Sequence, residues 1–258
     1  MATPSLLLLL ADGRFPAGAH AHSGGLEAAV AAGRVSDLAS LEAFLAGRLA
    51  TAGLVGAAFA AAAHRAAVAE TADSANPARS ARGSDAPDES AARSWALAES
   101  AARSAALARL DAELDARTAA PALRAVSRRQ GRALLRAGRA IWADAPFADL
   151  PATPGGAHQP LVLGLLCAAA GLSRVETATV AAYGTLTGAA SAGVRLLGLD
   201  PYQVQALLVG LADACDGTAA DAARAADDPP ERLPAAAAPL ADIHAEIHAT
   251  WEVRLFAS

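Results

Sequence analysis

Residues 121–141, PALRAVSRRQGRALLRAGRAI, carry the clearest helical pattern in the chain. Proline suits the first turn of an α-helix, because the N–H that it lacks would have no intrahelical partner there. At 100° per residue, one narrow face collects the apolar side chains of Leu123, Val126, Leu134 and Ile141. The stretch therefore predicts an amphipathic helix that begins at Pro121 and turns one face to a core.

Another sector of this helix is basic. It carries the side chains of Arg124, Arg128, Arg132, Arg136 and Arg139. A solvated charged surface is the ordinary interpretation of such a face. The alternative is a docking stripe for an acidic partner, and the pattern alone leaves both open.

Helical signals continue on both sides of this stretch, and strand alternation is almost absent. Residues 26–64 are alanine-rich, with a capped start expected at Ser36 and possible breaks at four glycines. These are Gly33, Gly47, Gly53 and Gly56. Further on, an apolar segment spans Leu161–Leu172, and a helix rich in small residues follows Ser173. Gly198 is expected to end that helix and Pro201 to begin the next. The sequence predicts an all-α fold.

The chain is expected to form a single multi-helix domain over residues 1–258, with three special segments. Residues 1–27 are rich in glycine and are expected to become ordered against a partner. Residues 71–94 are rich in Ser, Asp, Arg, Pro and Gly, which predicts a flexible loop between two helices. Residues 240–258 are predicted to form a C-terminal helix and tail. Its apolar stripe comprises Leu240, Ile243, Ile247, Trp251 and Leu255.

Composition narrows the classes of function. In 258 residues, 54% are hydrophobic and 18% charged, which excludes general disorder. The net charge of −5 argues against a nucleic-acid binder. Cys167 and Cys215 form no CxxC pair or disulfide framework, so a reducing cytoplasmic compartment is expected. Leu6–Leu10 is too short for a signal core and Thr177–Val194 too rich in small residues for a span, so no membrane association is expected.

Two pairs of histidines are candidates for metal binding. His20 and His22 have a spacing that could chelate a transition metal, but a closed site needs three or four ligands and no other ligand lies nearby in sequence. His244 and His248 share a helix face, yet the string H-A-E-I-H departs from the zincin pattern because Glu246 points away from His244. No tightly bound metal is expected; transient contact with a transition metal at His20 and His22 remains open.

Nucleophilic and nucleotide chemistry find equally little support. The residues around Ser23, HSGG, do not form a G-x-S-x-G elbow. The chain contains no lysine, so it cannot carry a Walker-type P-loop. The residues alone therefore favour a binding protein without catalytic residues over an enzyme.

The N-terminal residues LLLLLADGRFPAGAHAHSGGLEAAV resemble the opening signature of the urease accessory protein UreF family, LAD-x-x-x-P-x-G-x-x-x-HS-x-GLE. The matching residues are Asp12, Pro16, Gly18, His22, Ser23, Gly25, Leu26 and Glu27. Four further segments match in order along the chain: RRQGRALLR at Arg128–Arg136, HQPLVLG from His158, SAGVRL containing Arg195 with Gln205 beyond it, and the terminal RLFAS.

This resemblance implies an all-helical, non-enzymatic, cytoplasmic protein that forms a homodimer. It implies partners as well: the accessory protein UreD (also called UreH), the GTPase UreG and apo-urease. Together they would insert nickel, with this chain modulating the GTPase step and holding no permanent cofactor. The partner-binding residues that it implies are Asp12, Pro16, Gly18, His22, Ser23, Gly25, Glu27, Arg128, Arg132, Tyr183, Arg195, Gln205, His248, Trp251, Arg254 and Phe256.

The chain departs from the family pattern at two positions near its end. Ala249 follows His248 where the family usually has glutamate, and Ala257 replaces an arginine. Any partner contact made by those charges is expected to be weaker here or made by other residues.

Several alternatives remain open at the level of sequence. His22 and Glu27 could cap and pin the first helix, Arg195 could form a buried ion pair between helices, and the C-terminal stripe could pack on the protein's own core. For the whole protein, one alternative is a metalloenzyme whose ligands are drawn from the histidines. These are His20, His22, His158, His244 and His248. The other alternative is a helical adaptor unrelated to nickel.

Overall fold

A computed structural model describes residues 4–15, 22–73 and 89–256 of the chain. Within these ranges the regular structure is helical and contains no β-strand, which confirms the all-α fold. The first helices are α1 (Pro4–Ala11), α2 (Leu26–Ala31), α3 (Leu38–Arg48), α4 (Leu54–Asp73), α5 (Glu89–Arg117) and α6 (Pro121–Ile141). They are followed by α7 (Gln159–Ala169), α8 (Arg174–Leu197), α9 (Pro201–Gly210), α10 (Ala212–Ala225) and α11 (Pro239–Ala249).

α3 and α4 form one continuous rod, because a π-helical turn at Leu49–Gly53 joins them. Gly47, Gly53 and Gly56 therefore do not break the helix, contrary to the sequence prediction. Gly33, with a φ of 66°, does follow the end of α2. The start of α3 is also shifted by one residue, since Asp37 rather than Ser36 is the N-cap and forms a capping box with Ser40.

α4 is the centre of the core. Its alanines at 57–63 are all buried, and the helix packs against α7, α8 and α10. Small side chains allow very close approach: a Cβ on Gly164 of α7 would lie 2.8 Å from the Cβ of Ala63. Helices packed this closely exclude water, so small side chains, together with the fully buried Phe59, fill this part of the core.

One described helical segment, Leu38–Val68, is long and apolar enough to cross a membrane by length and composition, with a mean hydropathy of 1.5. Its second half lies in α4, where three other helices cover it. Packing of this kind is typical of a core helix.

The expected boundaries around α8 are confirmed. Ser173 and Glu176 form a capping box at its start, and Gly198 ends it in the left-handed conformation with a φ of 63°. Pro201 then begins α9. The predicted helix at Pro121 is also confirmed as α6, although Ile141 at its end is 51% exposed and does not share the buried face with Leu134.

Two predicted segments differ from the structure. Helices α4 and α5 extend into both ends of the expected loop at 71–94, and residues 74–88 lie outside the described residues. The C-terminal helix ends at Ala249, so Trp251 and Leu255 lie beyond it and the predicted five-residue helical stripe is wrong. The chain turns after Thr250 because the segment beyond it runs back to α2.

Candidate partner-binding site

Glu27 connects the N-terminal signature to the C-terminal segment of the chain. It lies in α2 and is only 8% exposed. Its carboxylate accepts hydrogen bonds from His248 Nε2 at 3.0 Å, the backbone N–H of Leu255 at 2.8 Å and the backbone N–H of Phe256 at 3.0 Å. Three donors converge on one buried carboxylate, so Glu27 anchors the C-terminal segment to the N-terminal signature.

The charge of Glu27 is stabilised by these bonds. Burial by itself would raise the pKa of the carboxyl group, but the backbone N–H of Leu255, then the side chain of His248 and the N–H of Phe256 outweigh it. The net pKa lies below the usual 4.5. Glu27 is therefore an ionised anchor at neutral pH.

Side-chain rings reinforce the same junction. The ring of His248, which is fully buried, lies 4.7 Å from that of Trp251. The guanidinium of Arg195 on α8 lies 4.8 Å from the centre of the Phe256 ring, in a cation–π contact. The expected buried ion pair of Arg195 is therefore wrong for the described residues: its side chain is exposed and covers a buried aromatic ring instead.

The signature residues before α2 form a tight turn. Gly24 and Gly25 have φ values of 63° and 89°, which glycine adopts without strain. The hydroxyl of Ser23, which is fully buried, accepts the backbone N–H of Glu27 at 3.3 Å. Gly24 also makes room for Arg48, because a Cβ there would lie 2.8 Å from the guanidinium carbon. Ser23 and the two glycines thus position Glu27, and Gly24 leaves space for Arg48 at the end of α3.

Beside this anchor the protein exposes an unusual number of apolar side chains. We use the term C-terminal apolar surface for Leu240, Ile243, Ile247, Val253 and Leu255. Ile243 and Ile247 are 56% and 51% exposed, and Val253 and Leu255 reach 85% and 72%. The buried side of α11 is formed instead by Ala245 and His248. The alternative that the predicted stripe packs on the protein's own core therefore does not hold for Leu240, Ile243, Ile247 and Leu255. Exposed apolar side chains grouped in one patch are typical of interaction sites.

The basic face of α6 contains a structural arginine. Arg128 donates to Asp111 at 3.0 Å and to Asp115 at 2.6 Å, both on α5, and to the hydroxyl of Thr153 at 3.0 Å. It also donates to the carbonyl of Gly156 at 2.6 Å. Burial lowers the pKa of Arg128, but its bonds to Asp115 and Asp111 reverse the shift and raise the net pKa. Arg128 therefore holds α5, α6 and the loop before α7 together.

His158 completes this network from the N-cap of α7. Its buried ring bonds Asp115 through Nε2 at 3.1 Å and the Ser127 hydroxyl through Nδ1 at 3.0 Å. Burial and the positive charge of Arg128 lower the pKa of His158, which favours the neutral imidazole. Because a carboxylate can only accept, Nε2 carries the proton and Nδ1 accepts from Ser127. The HQP motif thus helps to stabilise the fold.

The remaining arginines on α6 divide by exposure. Arg132 is exposed and donates to the carbonyl of Gly155, while Arg136 and Arg139 are exposed on the later turns. Arg124 is half-buried, 3.6 Å from Asp115. The interpretation as a solvated charged surface therefore holds for only part of the basic face of α6. The contacts of Arg132 leave its side chain accessible to a partner.

The other residues implied by the family signature fall into three groups. Asp12 is exposed and accepts the backbone N–H of Arg14 at 2.9 Å in the turn after α1. Tyr183, Gln205 and Arg254 are exposed on α8, α9 and the tail, and Arg254 directly precedes Leu255, which bonds Glu27. Pro16, Gly18 and His20 lie outside the described residues.

The histidines do not assemble as one ligand set in the part of the chain that the structure describes. His158 and His248 are committed to Asp115 and Glu27 in separate networks. His22 is half-buried near α8, and no group of three or more His, Cys, Asp or Glu side chains in the described ranges is arranged to hold a metal ion. The ligand set suggested for a metalloenzyme is therefore not formed from the described histidines.

Sequence reasoning missed three charged residues that the structure makes important. Asp111 and Asp115 lie four residues apart on α5, a spacing that places both on one helix face. That spacing could have suggested a partner for the arginines of α6. Arg48 had no comparable signal, since only the folded chain brings it to Gly24.

The described residues define an all-α protein whose C-terminal tail is anchored at Glu27 and whose surface exposes apolar side chains on α11 and the tail. The UreF family model matches residues 35–212 of the chain. The chain therefore belongs to the UreF family of urease accessory proteins.

Individual relatives cover the whole chain. It is 39% identical over 258 residues to the urease accessory protein UreF of Mycolicibacterium vanbaalenii and 41% identical over 258 residues to that of Mycobacterium marinum, with 100% of both chains covered in each case. The urease accessory protein UreF of Mycobacterium tuberculosis is 39% identical over 222 residues, covering 86% of each chain. These similarities support a role in the maturation of urease.

Proposed function

We propose that this protein is a non-catalytic scaffold that joins a UreD-like (UreH-like) protein and a UreG-like GTPase for the insertion of nickel into apo-urease. It acts as a homodimer in the cytoplasm and modulates the GTPase step. Nickel is the cargo of the complex, with transient contact at His20 and His22, and the chain holds no permanent cofactor. Family membership supports the link to urease, and the C-terminal apolar surface supports the scaffold role.

The observation that carries the proposal is the exposure of apolar side chains beside a rigid anchor. Glu27 fixes the chain at Leu255 and Phe256, so Leu255 is held at the surface. It also bonds His248 of α11, the helix on which Ile243 and Ile247 are exposed. A surface fixed before binding loses little conformational entropy when a partner covers it. We assign the C-terminal apolar surface to the UreD-like partner.

The proposal is tested by expressing the urease operon that contains this gene with and without this chain. Omission is expected to leave urease with little nickel and little activity, while the amount of urease protein is unchanged. Restoring the chain from a plasmid should restore both. Equal nickel content with and without the chain contradicts the nickel role and favours the unrelated-adaptor alternative.

The partner assignment needs a second measurement with purified proteins. The chain is expected to retain the UreD-like protein in a pull-down, to retain the UreG-like GTPase in its presence, and to change the rate of GTP hydrolysis. Light scattering is expected to give twice the 25.7 kDa chain mass for the chain alone. Hydrolytic activity of the chain, dependent on a bound metal, would favour the metalloenzyme alternative instead.

A further inference from the structure

A large cavity opens beside the N-terminal turn. Its volume is about 690 Å³, and its walls come from residues 22–25 and from several helices, among them α3, α6 and α11. Leu123, Val126 and Leu240 contribute apolar side chains to these walls. Ligand sites in proteins commonly occupy about 300–1,000 Å³, so the cavity is large enough for an organic ligand or for a side chain inserted by a partner.

Arg48 lines this cavity from the end of α3. One guanidinium nitrogen, Nη1, donates to the carbonyl of Gly24. Nε is buried and has no hydrogen-bond partner among the described residues, and none of them bonds Nη2. Nε and Nη2 form one edge of the planar guanidinium, the fork that pairs with both oxygens of a carboxylate.

No acidic side chain neutralises Arg48. In the described part of the chain, no carboxylate oxygen lies within the 4.0 Å that defines an ion pair with it. Burial lowers the pKa of Arg48 to about 10, which leaves it positively charged at neutral pH. A buried charge without a counter-ion is costly to the folded protein, and an anion that reaches it removes part of that cost.

The other charged residues around the cavity give it a basic balance. Arg34 and Arg117 line it together with Arg48, whereas Asp242 is the single acidic residue among the described lining residues. Arg117 is already paired with Glu113 and with backbone carbonyls of residues 230, 231 and 233. Nε of Arg117 is also buried without a partner, but both of its terminal nitrogens are bonded. Arg34 is exposed to solvent. Among the described lining residues, Arg48 is therefore the cation that is not fully exposed and has a whole edge, Nε and Nη2, without a bond.

We propose that the cavity binds a carboxylate group carried on an apolar body, with the Nε–Nη2 edge of Arg48 as the anchor. The planar fork favours a carboxylate, and the apolar walls favour a hydrocarbon chain over a strongly hydrated inorganic anion. The carboxylate comes either from a free organic acid or from an acidic side chain of a partner protein. Two sets of measurements distinguish these sources.

In the first set, calorimetry at constant ionic strength measures the binding of sodium hexanoate, the probe, to the purified full-length protein. Saturable binding is expected, and hexan-1-ol, which lacks the carboxylate, should bind at least tenfold more weakly, the ratio that corresponds to one lost charge-assisted hydrogen bond. Arg48→Met should weaken hexanoate binding by a similar factor. Thermal unfolding of each variant establishes that it is folded.

A second variant leaves Arg48 and its bond to Gly24 in place. A Cβ at Gly47, which also lines the cavity, would meet no atom within 4 Å, so the side chain of Gly47→Leu has room to begin and should occupy part of the space. Gly217 on α10 is equally open and lies away from the cavity, so Gly217→Leu is the matched control. Gly47→Leu should reduce binding, and Gly217→Leu should leave it unchanged.

The second set measures the affinity of wild type and variants for the UreD-like and UreG-like proteins. Only this set of measurements rests on the proposed function. A loss of at least tenfold with Arg48→Met and Gly47→Leu, without hexanoate binding, assigns the carboxylate to a partner side chain. Hexanoate binding that requires Arg48, without any change in partner affinity, assigns it to a free acid. The inference is overturned, while the proposed function stands, by one combination of results. In that combination the wild type and both variants bind the partners equally well, and hexanoate does not bind. If the wild type binds no partner, the proposed function fails and the hexanoate measurement alone decides the inference.

Discussion

Glu27 and His248 are 221 positions apart in the chain, and their side chains meet at 3.0 Å in the buried junction between α2 and α11. The same carboxylate holds the backbone of Leu255 and Phe256. One residue of the N-terminal signature thus determines where the C-terminal tail lies. This coupling links the two most distinctive segments of the sequence.

Removal of the Glu27 charge should loosen the tail. In Glu27→Gln the amide can accept some of the three hydrogen bonds but loses its charge, so the free energy of unfolding should fall by about 1–3 kcal/mol. Urea denaturation measures this loss, and hydrogen exchange should show faster exchange at Leu255 and Phe256. Glu252→Gln, an exposed change in the same tail, is the control and should alter stability by less than about 0.5 kcal/mol. Equal effects of the two substitutions would contradict the anchor role.

The contribution of Glu27 should depend on pH in a defined direction. Its pKa in the folded protein is below 4.5, so the folded state favours the ionised form more strongly than the unfolded state does. The stabilisation is fully present above the unfolded pKa and is lost as the pH falls through the lower, folded pKa. The difference in unfolding free energy between wild type and Glu27→Gln should therefore be constant near neutral pH and shrink below about pH 4.5. A difference that grows with acidification would show that the folded pKa is raised.

Arg128 should be required for stability more than for docking. Arg128→Gln leaves Asp111, whose side chain is 5% exposed, without its cation. Breaking such a buried pair costs about 3 kcal/mol, and the thermal midpoint should fall by about 6–12 °C. The neighbouring Arg129 is exposed, so Arg129→Gln should change the midpoint little. A fully stable Arg128→Gln protein that fails to bind its partners would instead support the docking stripe.

Gly164 should tolerate no side chain. The added methyl group of Gly164→Ala would lie 2.8 Å from both the Ala63 Cβ and the backbone nitrogen of His64, so α4 and α7 must separate. We expect a destabilisation of about 1–3 kcal/mol by urea denaturation. Gly217→Ala, in a helix with open space, should stabilise by about 0.5–1 kcal/mol because alanine favours the helix. A neutral Gly164→Ala would show that the two helices are less closely packed than described.

Local signals in the sequence identified much of the helical framework. Pro121, Ser173 and Gly198 act within one or two turns of their own position, so their chemistry determines a boundary regardless of the rest of the fold. The glycines at 47, 53 and 56 were misleading for the converse reason. Packing of the rod holds them helical even though their intrinsic propensity is poor.

The candidate site was less accessible to sequence reasoning, because its contacts join distant residues. Nothing near Glu27 indicates that it receives the N–H groups of Leu255 and Phe256, and the arginine periodicity of α6 does not show that Arg128 faces two aspartates on α5. The pattern correctly places Leu240, Ile243 and Ile247 on one C-terminal helix, but a periodic pattern cannot distinguish a core face from an exposed one. Tertiary packing decides that difference.

The most direct test of the scaffold proposal is the affinity of the chain for the UreD-like protein when the C-terminal apolar surface is made polar. Deletion of the segment would also remove His248 and Phe256 from the core, so the point variants Ile243→Asp and Ile247→Asp, made together, are cleaner. Leu97→Asp, at an exposed apolar position on α5, is the control; Leu97 is 72% exposed, against 56% for Ile243 and 51% for Ile247.

Calorimetry should show that the paired substitution weakens binding by about 100-fold or more, as expected for central contacts worth about 1.4 kcal/mol each, while Leu97→Asp retains the wild-type affinity. Circular dichroism should show the same helicity in all three proteins. Wild-type affinity in the folded Ile243→Asp, Ile247→Asp protein would contradict the assignment of this surface to the partner.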